Sequence, residues 1–480
     1  MSTRRYLVGS PRAPGLHPAA ARAVESAVAA APEAGILRQT PAGRRVVSMT
    51  PDAARQLAGS RPDLVVEEDH PLERFRMPGL PAIVEAADAG PVLPVRVTDP
   101  GGAPIADCTL FGRAGEVGYK ARTGPDGTAL LPVGPDGVES IIVSPRALFW
   151  SRVATPGQVD AQGVLSVTLP PLDAARSSAW VHRLLGTTPR ARAGLTGRGV
   201  SVAIVDSGIG PHPWLAPRGG YNTLDGQDPG AWNVDDGGHG SHCAGLVAAR
   251  PAAGAGVLGV APEAELYAIK VFPGGFVSDL VEAVEWCTAN RIDVVSLSLG
   301  SSKPSSLLAA ALARADAHGV TAIAATGNEG SHVAYPAAFP TVMGVGAVGR
   351  LGSFPATSAH SLRLGRYRDW WGGLFEAAFT NFGSEVDVCA PGVAVVSSVP
   401  EGYAAWDGTS MACPLVAGLA ALVLQAVPWL RTGDASQARA VREILRAGAV
   451  GMGLPPHIQG RGLPTVPGIR AALRGLGVAA

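Results

Sequence analysis

Four residues in the second half of the chain have the types and settings that acyl transfer through a serine requires. They are Asp206 in DSGIG, His239 in HGSHCAGLVAA, Asn328 in AATGNEG and Ser410 in GTSMACPLVAG. A serine hydroxyl is a weak nucleophile until a base takes its proton, an acid orients that base, and hydrogen-bond donors meet the oxyanion that forms. Ser410 stands ahead of a long apolar stretch, so its hydroxyl is expected to be exposed at a helix N-terminus, where backbone N–H groups favour a developing negative charge. His239 is followed by small residues, which let a helix pack closely and hold the imidazole in place. Asp206 and Asn328 each come after a short apolar run, so a carboxylate and an amide are expected to emerge at strand ends. Singly, each has an ordinary explanation: an aspartate or serine caps a helix, a lone histidine is more often structural, and asparagine is a common turn residue. His242, one turn past His239, is read as facing elsewhere on that helix.

The scaffold that would bring the four together is legible as alternation. Val200 to Val205, Leu266 to Val271, Val294 to Leu299, Val320 to Ala325 and Val342 to Val348 are short, strongly apolar strand candidates, with helical stretches such as Asp279 to Asn290 and Ser305 to Ala317 between several of them. This pattern predicts a parallel sheet covered on both faces, with ligands bound outside the carboxyl ends of its strands. Two segments precede it. The first offers strands at Tyr6 to Val8, Gly35 to Thr40, Arg45 to Met49 and Asp63 to Val66. Its helices lie at Pro18 to Ala31 and from Thr50-Pro51-Asp52 to about Ala58, which completes the β-α-β-β-α-β order of a ferredoxin-like α+β unit. The second, about Pro91 to Leu172, has short apolar stretches separated by two Gly-Pro-Asp-Gly turns, at 124–127 and 134–137, and reads as an all-β sandwich-like module. The expected division is residues 1–76, a linker at 77–90, the β module at 91–173 and the α/β domain at 174–480.

At 480 residues the chain has room for several domains. Lysine plus arginine equals aspartate plus glutamate, 39 against 39, and no run of like charge marks a nucleic-acid partner. The apolar stretch after Arg4 and Arg5 is too short for a signal-peptide core, and the five cysteines form no close pair, so a reducing, cytoplasmic setting is the simpler expectation, with export by a route the sequence does not show as the alternative. Met411 to Leu430 is uncharged and about the length of a membrane span, but it carries Pro414, Gly418 and Gln425 and is read as a buried core helix, with no membrane span.

Taken together, the order Asp, His, Asn, Ser with the quoted motifs resembles the subtilisin-like serine proteases. The stretches VLGVAPEAELYAIKV (257–271), VVSLSLG (294–300) and GRGLPTVPGIRAAL (460–473) are similar to that family as well. Cys243 and Cys413 resemble its proteinase K branch. The resemblance implies a serine endopeptidase with Ser410 as nucleophile, His239 as base and then acid, Asp206 as orienting carboxylate, and Asn328 with the Ser410 N–H as oxyanion donors. It also implies that a protein or peptide substrate binds as an added β-strand between Ser298-Leu299-Gly300 and Gly274-Gly275. A first specificity pocket at Ala325, Gly327 and Ala334 would favour an uncharged side chain. No cofactor is implied. The alternative reading is a catalytically silent or latent protease-fold binding module.

Three departures from the family stand out. DLVVEEDHPLERF (63–75) resembles the end of an inhibitory propeptide, so the first unit is expected to act as an intramolecular inhibitor of a self-processing precursor; here the β module separates it from the protease. Self-cleavage is then expected after Phe75, near Ala174 to Ser178, or nowhere. The loop at 250–256 has no Asn or Asp side chain, so the family's strongest calcium site is expected to be missing and no metal is assigned. Residues Ser353 to Ala378 look inserted, and their aromatics and arginines read either as a hairpin packed on the domain or, more sharply, as an exosite.

Overall fold

The structure is a computed structural model that describes residues 2–11, 18–31, 34–72, 82–83, 91–134, 136–252, 256–368 and 371–478. At the N-terminus, β1 (Arg4–Gly9), α1 (Pro18–Ala29), β2 (Gly35–Gln39), β3 (Arg45–Met49), α2 (Pro51–Ser60) and β4 (Val65–Glu68) form an antiparallel sheet of order β2-β3-β1-β4 with two helices. Thr50 caps α2 by accepting from Ala53 N, with proline at the first helical position. The period-2 alternation of β1 and β3 sends Tyr6, Val8, Val47 and Met49 into a small core under the two helices. The intervening Leu7 and Val46 face the other way and join the core of the α/β unit.

The strands β5 (Ala82–Ile83), β6 (Val92–Thr98), β7 (Thr109–Ala114), β8 (Val117–Arg122), β9 (Thr128–Pro132), β10 (Ser140–Ser144), β11 (Arg152–Ala154) and β12 (Leu165–Thr168) follow. They make two sheets, β11-β10-β7-β8-β5 and β12-β6-β9, which share a core that includes Val95, Val97, Leu110, Leu131, Ile141 and Val167. Gly127 turns the chain with φ +72°, and a Cβ there would stand 2.5 Å from the Val97 carbonyl, so the turn needs glycine. The loop after β10 seats this unit on its neighbour. Leu148 N donates to Tyr403 O and Leu148 O accepts from Leu172 N, while Trp150 and Leu172 enter the α/β core. Leu148 adopts φ +67°, and its side chain lies against Gly402.

The rest of the chain contains α3 (Ala174–Leu185), α4 (Pro189–Arg192), β13 (Ser201–Asp206), β14 (Gly219–Asn222), α5 (His239–Ala248), β15 (Glu265–Lys270), α6 (Val277–Ala289), β16 (Val294–Leu297) and α7 (Ser306–Ala317). It continues with β17 (Thr321–Ala325), β18 (Val342–Arg350), β19 (Leu374–Glu376), β20 (Val388–Pro391), β21 (Val395–Val399), β22 (Gly402–Trp406), α8 (Thr409–Ala426) and α9 (Ala435–Ala447). The main sheet runs β14-β15-β13-β16-β17-β18-β19, with β20 also on β18. Every pairing is parallel except β18 with β19. Helix α8 is long and apolar enough to cross a membrane, yet 89% of it is buried, packed on β16, β17, β18 and α5. It stops at Ala426, short of the uncharged stretch's end at Leu430, because Pro428 disfavours helix in the residue before it.

One expectation changes and one alternative is favoured. Ala174 to Ser178 opens α3, with Ala174 and Ser178 buried, so that stretch does not offer the extended backbone that a protease cleaves. The 353–378 segment packs on the domain, as the hairpin reading expects, while Arg366 and Arg368 stay exposed. It adds β19 to the sheet, Phe375 is 0% exposed, and Arg363 is 3% exposed because it pairs inward with Asp407. Trp371 is exposed, and Trp370 lies outside the described residues.

Candidate active site

Asp206 is the last residue of β13, in the middle of the parallel sheet, and His239 is the first of α5. The strand end and the helix start therefore meet, with His239 Nδ1 2.8 Å from both Asp206 carboxylate oxygens. This contact puts the imidazole proton on Nδ1 and leaves Nε2 to accept one. Asp206 is fully buried, and its Oδ1 also accepts from Ser207 N at 2.8 Å. Asp235 anchors the start of α5 by accepting from Gly238 N, Ser241 N and Ser207 Oγ at 2.8–2.9 Å. Gly240 is required by proximity: a Cβ there would stand 2.0 Å from the Gly208 carbonyl.

Ser410 is the second residue of α8 and is 2% exposed, so the expected exposed hydroxyl is corrected. Its Oγ donates to Ser298 O at 3.3 Å, and its carbonyl accepts from Ser298 Oγ at 3.0 Å and from Cys243 Sγ at 3.5 Å. These bonds draw the start of α8 down onto the end of β16. Asn328 is held by a residue that the motif comparison passed over. Its Oδ1 accepts from both Thr409 N and Thr409 Oγ1 at 2.9 Å, which leaves its Nδ2 as the free donor end. Gly408 sits at φ 151°, ψ 155°, a conformation open almost only to glycine. A Cβ there would meet Asn328 Nδ2 at 3.1 Å and Ser410 N at 3.6 Å. The space beside Gly408 is thus flanked by two N–H donors, one of them in the first turn of a helix, where backbone donors lack intrahelical partners. That is an anion-stabilising arrangement.

The remaining residues singled out by sequence lie around this centre. Ser298, Leu299 and Gly300 continue from β16; Leu299 is fully buried, so only its backbone can face a substrate. Ala325 ends β17, Gly327 N donates to Thr409 Oγ1 at 3.2 Å, and Ala334 N donates to Thr326 O at 2.9 Å. At Gly274-Gly275 the wall is already paired. Leu72 N donates to Gly275 O at 2.8 Å, Val277 N donates to His70 O at 2.9 Å, and Pro71 bridges antiparallel to Phe276. The N-terminal unit reaches this point by carboxylate contacts to two helix starts. Glu67 accepts from Ser305 Oγ, Ser306 N and Leu307 N at α7; Asp69 accepts from Ser278 N and Ser278 Oγ, each at 2.8 Å, at α6. Arg38 pairs with Asp279 at 2.7 Å, and Arg44 pairs with Glu285. Residues 73–81, which contain the expected cut after Phe75, and 253–255 of the calcium loop lie outside the described residues.

His242 is fully buried with Nε2 on Ala404 O at 3.1 Å, and burial pulls its pKa down to about 3. It is a neutral structural histidine that stacks on Trp406 at 4.6 Å, while His239 lies 6.1 Å from the same ring. Asp206, His239 and Cys243 offer donor atoms within 4.8 Å of one another. Burial, reinforced by the Asp206 charge, pushes the pKa of the Cys243 thiol well up.

The model of the subtilase family matches residues 197–462, which is more than half of the chain. This chain belongs to the subtilase family. It is 43% identical to Subtilisin BL of Lederbergia lenta over 241 residues, 49% of this chain and 80% of that protein. It is equally similar, at 43% over 241 residues, to M-protease of Shouchella clausii, of which it spans 56%. Subtilisin NAT of Bacillus subtilis subsp. natto is 40% identical over 247 residues, 58% of that protein. The chain is a subtilisin-like serine peptidase. In this subtilase the matched region begins after the two N-terminal units, so those units stand outside the similarity. The motif reading also missed Asp235, which holds the start of α5 locally, and Thr409 and Asp407, whose roles depend on partners far away in the chain.

Proposed function

We propose that this subtilase is an endopeptidase in which Ser410 attacks the scissile carbonyl, His239 Nε2 takes and returns the proton, and Asp206 orients the imidazole and stabilises its cation. Asn328 Nδ2 and the Ser410 N–H would meet the oxyanion in the space beside Gly408. The 2.8 Å contact of His239 Nδ1 with both Asp206 oxygens, on a helix whose Cys243 also holds the Ser410 carbonyl, is the observation that carries this reading. It supports His239 as a base rather than as a structural histidine. Substrate would add as a strand along Gly275 and Ser298–Gly300, with a small uncharged residue facing Ala325, Gly327 and Ala334.

We further propose that the chain is made as a self-inhibited precursor with few targets. His70 to Leu72 already occupy one strand position on the Gly274-Gly275 wall, and Glu67, Asp69, Arg38 and Arg44 hold the N-terminal unit there. Five unpaired, buried thiols support a reducing compartment. The test is fluorophosphonate labelling together with intact mass analysis of wild type and Ser410→Ala. Labelling of wild type alone supports the nucleophile, and a mass difference beyond one oxygen atom locates self-cleavage. An unlabelled wild type after proteolytic activation would refute the enzyme reading.

A further inference from the structure

The β-rich unit meets the 353–378 segment, and that segment meets the turn that carries Ser410. Val153 N donates to Thr357 O at 2.9 Å, Ala359 N donates to Ser151 Oγ at 3.2 Å, and the Trp150 ring stands edge-on to His360 at 5.6 Å. His360 Nδ1 lies 2.7 Å from Asp407 Oδ1, and Arg363 Nε lies 3.1 Å from Asp407 Oδ2. All three side chains are only 4–5% exposed. Asp407 Oδ1 also accepts from Ala394 N at 2.8 Å, which fastens the end of β22 to the start of β21. The next residue is Gly408, whose N–H donates to Gly392 O at 2.8 Å and whose conformation opens the space between the two oxyanion donors.

We propose that the β-rich unit is a permanent part of the working protease, and that it acts through His360 and Arg363, which hold Asp407 and with it the Gly408–Ser410 turn. A carboxylate buried this deeply needs its partners. Burial alone would raise the Asp407 pKa, but the His360 charge and hydrogen bond, the Arg363 charge and the Ala394 N–H outweigh it and bring the group down to about 2. Loss of one partner leaves the charge free to shift toward what remains, and the peptide after it moves as well. Displacement of an oxyanion donor or nucleophile by about 1 Å is worth roughly 100-fold in rate. Asp407, His360 and Arg363 are therefore positioning residues: none touches the reacting atoms. The β-rich unit backs them through Trp150 and Ser151, so removing it after self-cleavage would unbrace the nucleophile.

The inference rests on Ser410 being the nucleophile, and the experiment separates the two. Full-length wild type, Arg363→Met, Asp407→Asn, the double variant, Arg363→Lys and Trp150→Ala are assayed on a short uncharged peptide p-nitroanilide. Rates are normalised to fluorophosphonate-titrated Ser410, and folding is followed by circular dichroism. Arg363→Met is expected to lower kcat by about 10- to 100-fold with KM within about twofold. Arg363→Lys should recover part of that loss, and the double variant should be no worse than the poorer single, since both changes act on one contact. Trp150→Ala should lower kcat severalfold without contacting the site. A folded Arg363→Met with wild-type kcat, losses that multiply in the double variant, or a fragment lacking 91–172 with full kcat would each overturn the proposal. An unlabelled wild type would sink it together with the nucleophile assignment; a labelled wild type with unaffected variants would sink it alone.

Discussion

Replacing Asp69 by alanine should release the site. Asp69 is wholly inside the junction between the N-terminal unit and α6: its side chain is 0% exposed, Oδ1 accepts from Ser278 N and Oδ2 accepts from Ser278 Oγ, each at 2.8 Å. Its third bond, from Arg5 Nε at 2.6 Å, stays within the N-terminal unit and does not count toward docking. A hydrogen bond to a charged group contributes about 1.5–3 kcal/mol, and a lost cap at a helix start costs about 0.5–2 kcal/mol. Because the two descriptions overlap, the loss at the junction is about 2–3 kcal/mol. At 1.4 kcal/mol per factor of ten, this is roughly a 30- to 150-fold shift toward the open site. Fluorophosphonate labelling measures it, since the rate at fixed reagent follows the open fraction whether or not the tether has been cut. Ser278→Ala, which removes one bond from the opposite side, should give about a tenfold increase. A labelling rate for Asp69→Ala within twofold of wild type would refute the idea that this carboxylate holds the unit in place.

Gly408→Ala should lower kcat by at least about 100-fold, because the new methyl would fill the space between Asn328 Nδ2 and Ser410 N–H. Asn328→Ala should cost roughly 100- to 1000-fold, a scale known from a subtilisin and so a check of consistency rather than an independent result; steady-state kinetics tests both. Deleting 353–378 should abolish cleavage of small peptides as well as proteins, since Arg363 and Phe375 are buried; unchanged small-peptide turnover would restore the exosite reading. Acid should destabilise the fold early. Burial, with the Arg192 charge, lowers the His182 pKa to about 4, and burial lowers His242 to about 3. Both lie below the unfolded value of about 6.5, so the unfolded chain takes up protons first and stability falls from about pH 6.5 down toward pH 3, by on the order of 3–5 kcal/mol for each site. Thermal unfolding at pH 7 and pH 4.5 reads this, and His242→Gln should flatten the slope.

The scaffold was legible because the information is local. Five apolar runs between helices gave β13 and β15 to β18 within one or two residues at most ends, and Thr50-Pro51 gave the start of α2. Asp206, His239, Asn328 and Ser410 could be picked out because each lies at an element boundary, where glycines mark the turn. What escaped depends on pairing at a distance. Glu67 and Asp69 sit in an acidic run that looks solvated, and only the folded chain brings them to the N-termini of α7 and α6. Arg363 reads as surface charge until Asp407, 44 positions later, is found buried against it. The burial of Ser410 likewise depends on Ser298 and Cys243 from other elements.

The seating of Leu148 bears on how the molecule melts. A branched side chain at φ +67° costs about 1–2 kcal/mol, so the loop keeps that conformation only while its hydrogen bonds to Tyr403 and Leu172 survive. Trp150 and Leu172 meanwhile belong to the same apolar core as the central sheet. Heat should therefore find no separate transition for residues 91–172: calorimetry of the processed chain would give one cooperative peak, with its calorimetric and van't Hoff enthalpies equal. A module tied in this way cannot be exchanged for another by splicing at its ends, because the joint that matters is a leucine in its middle.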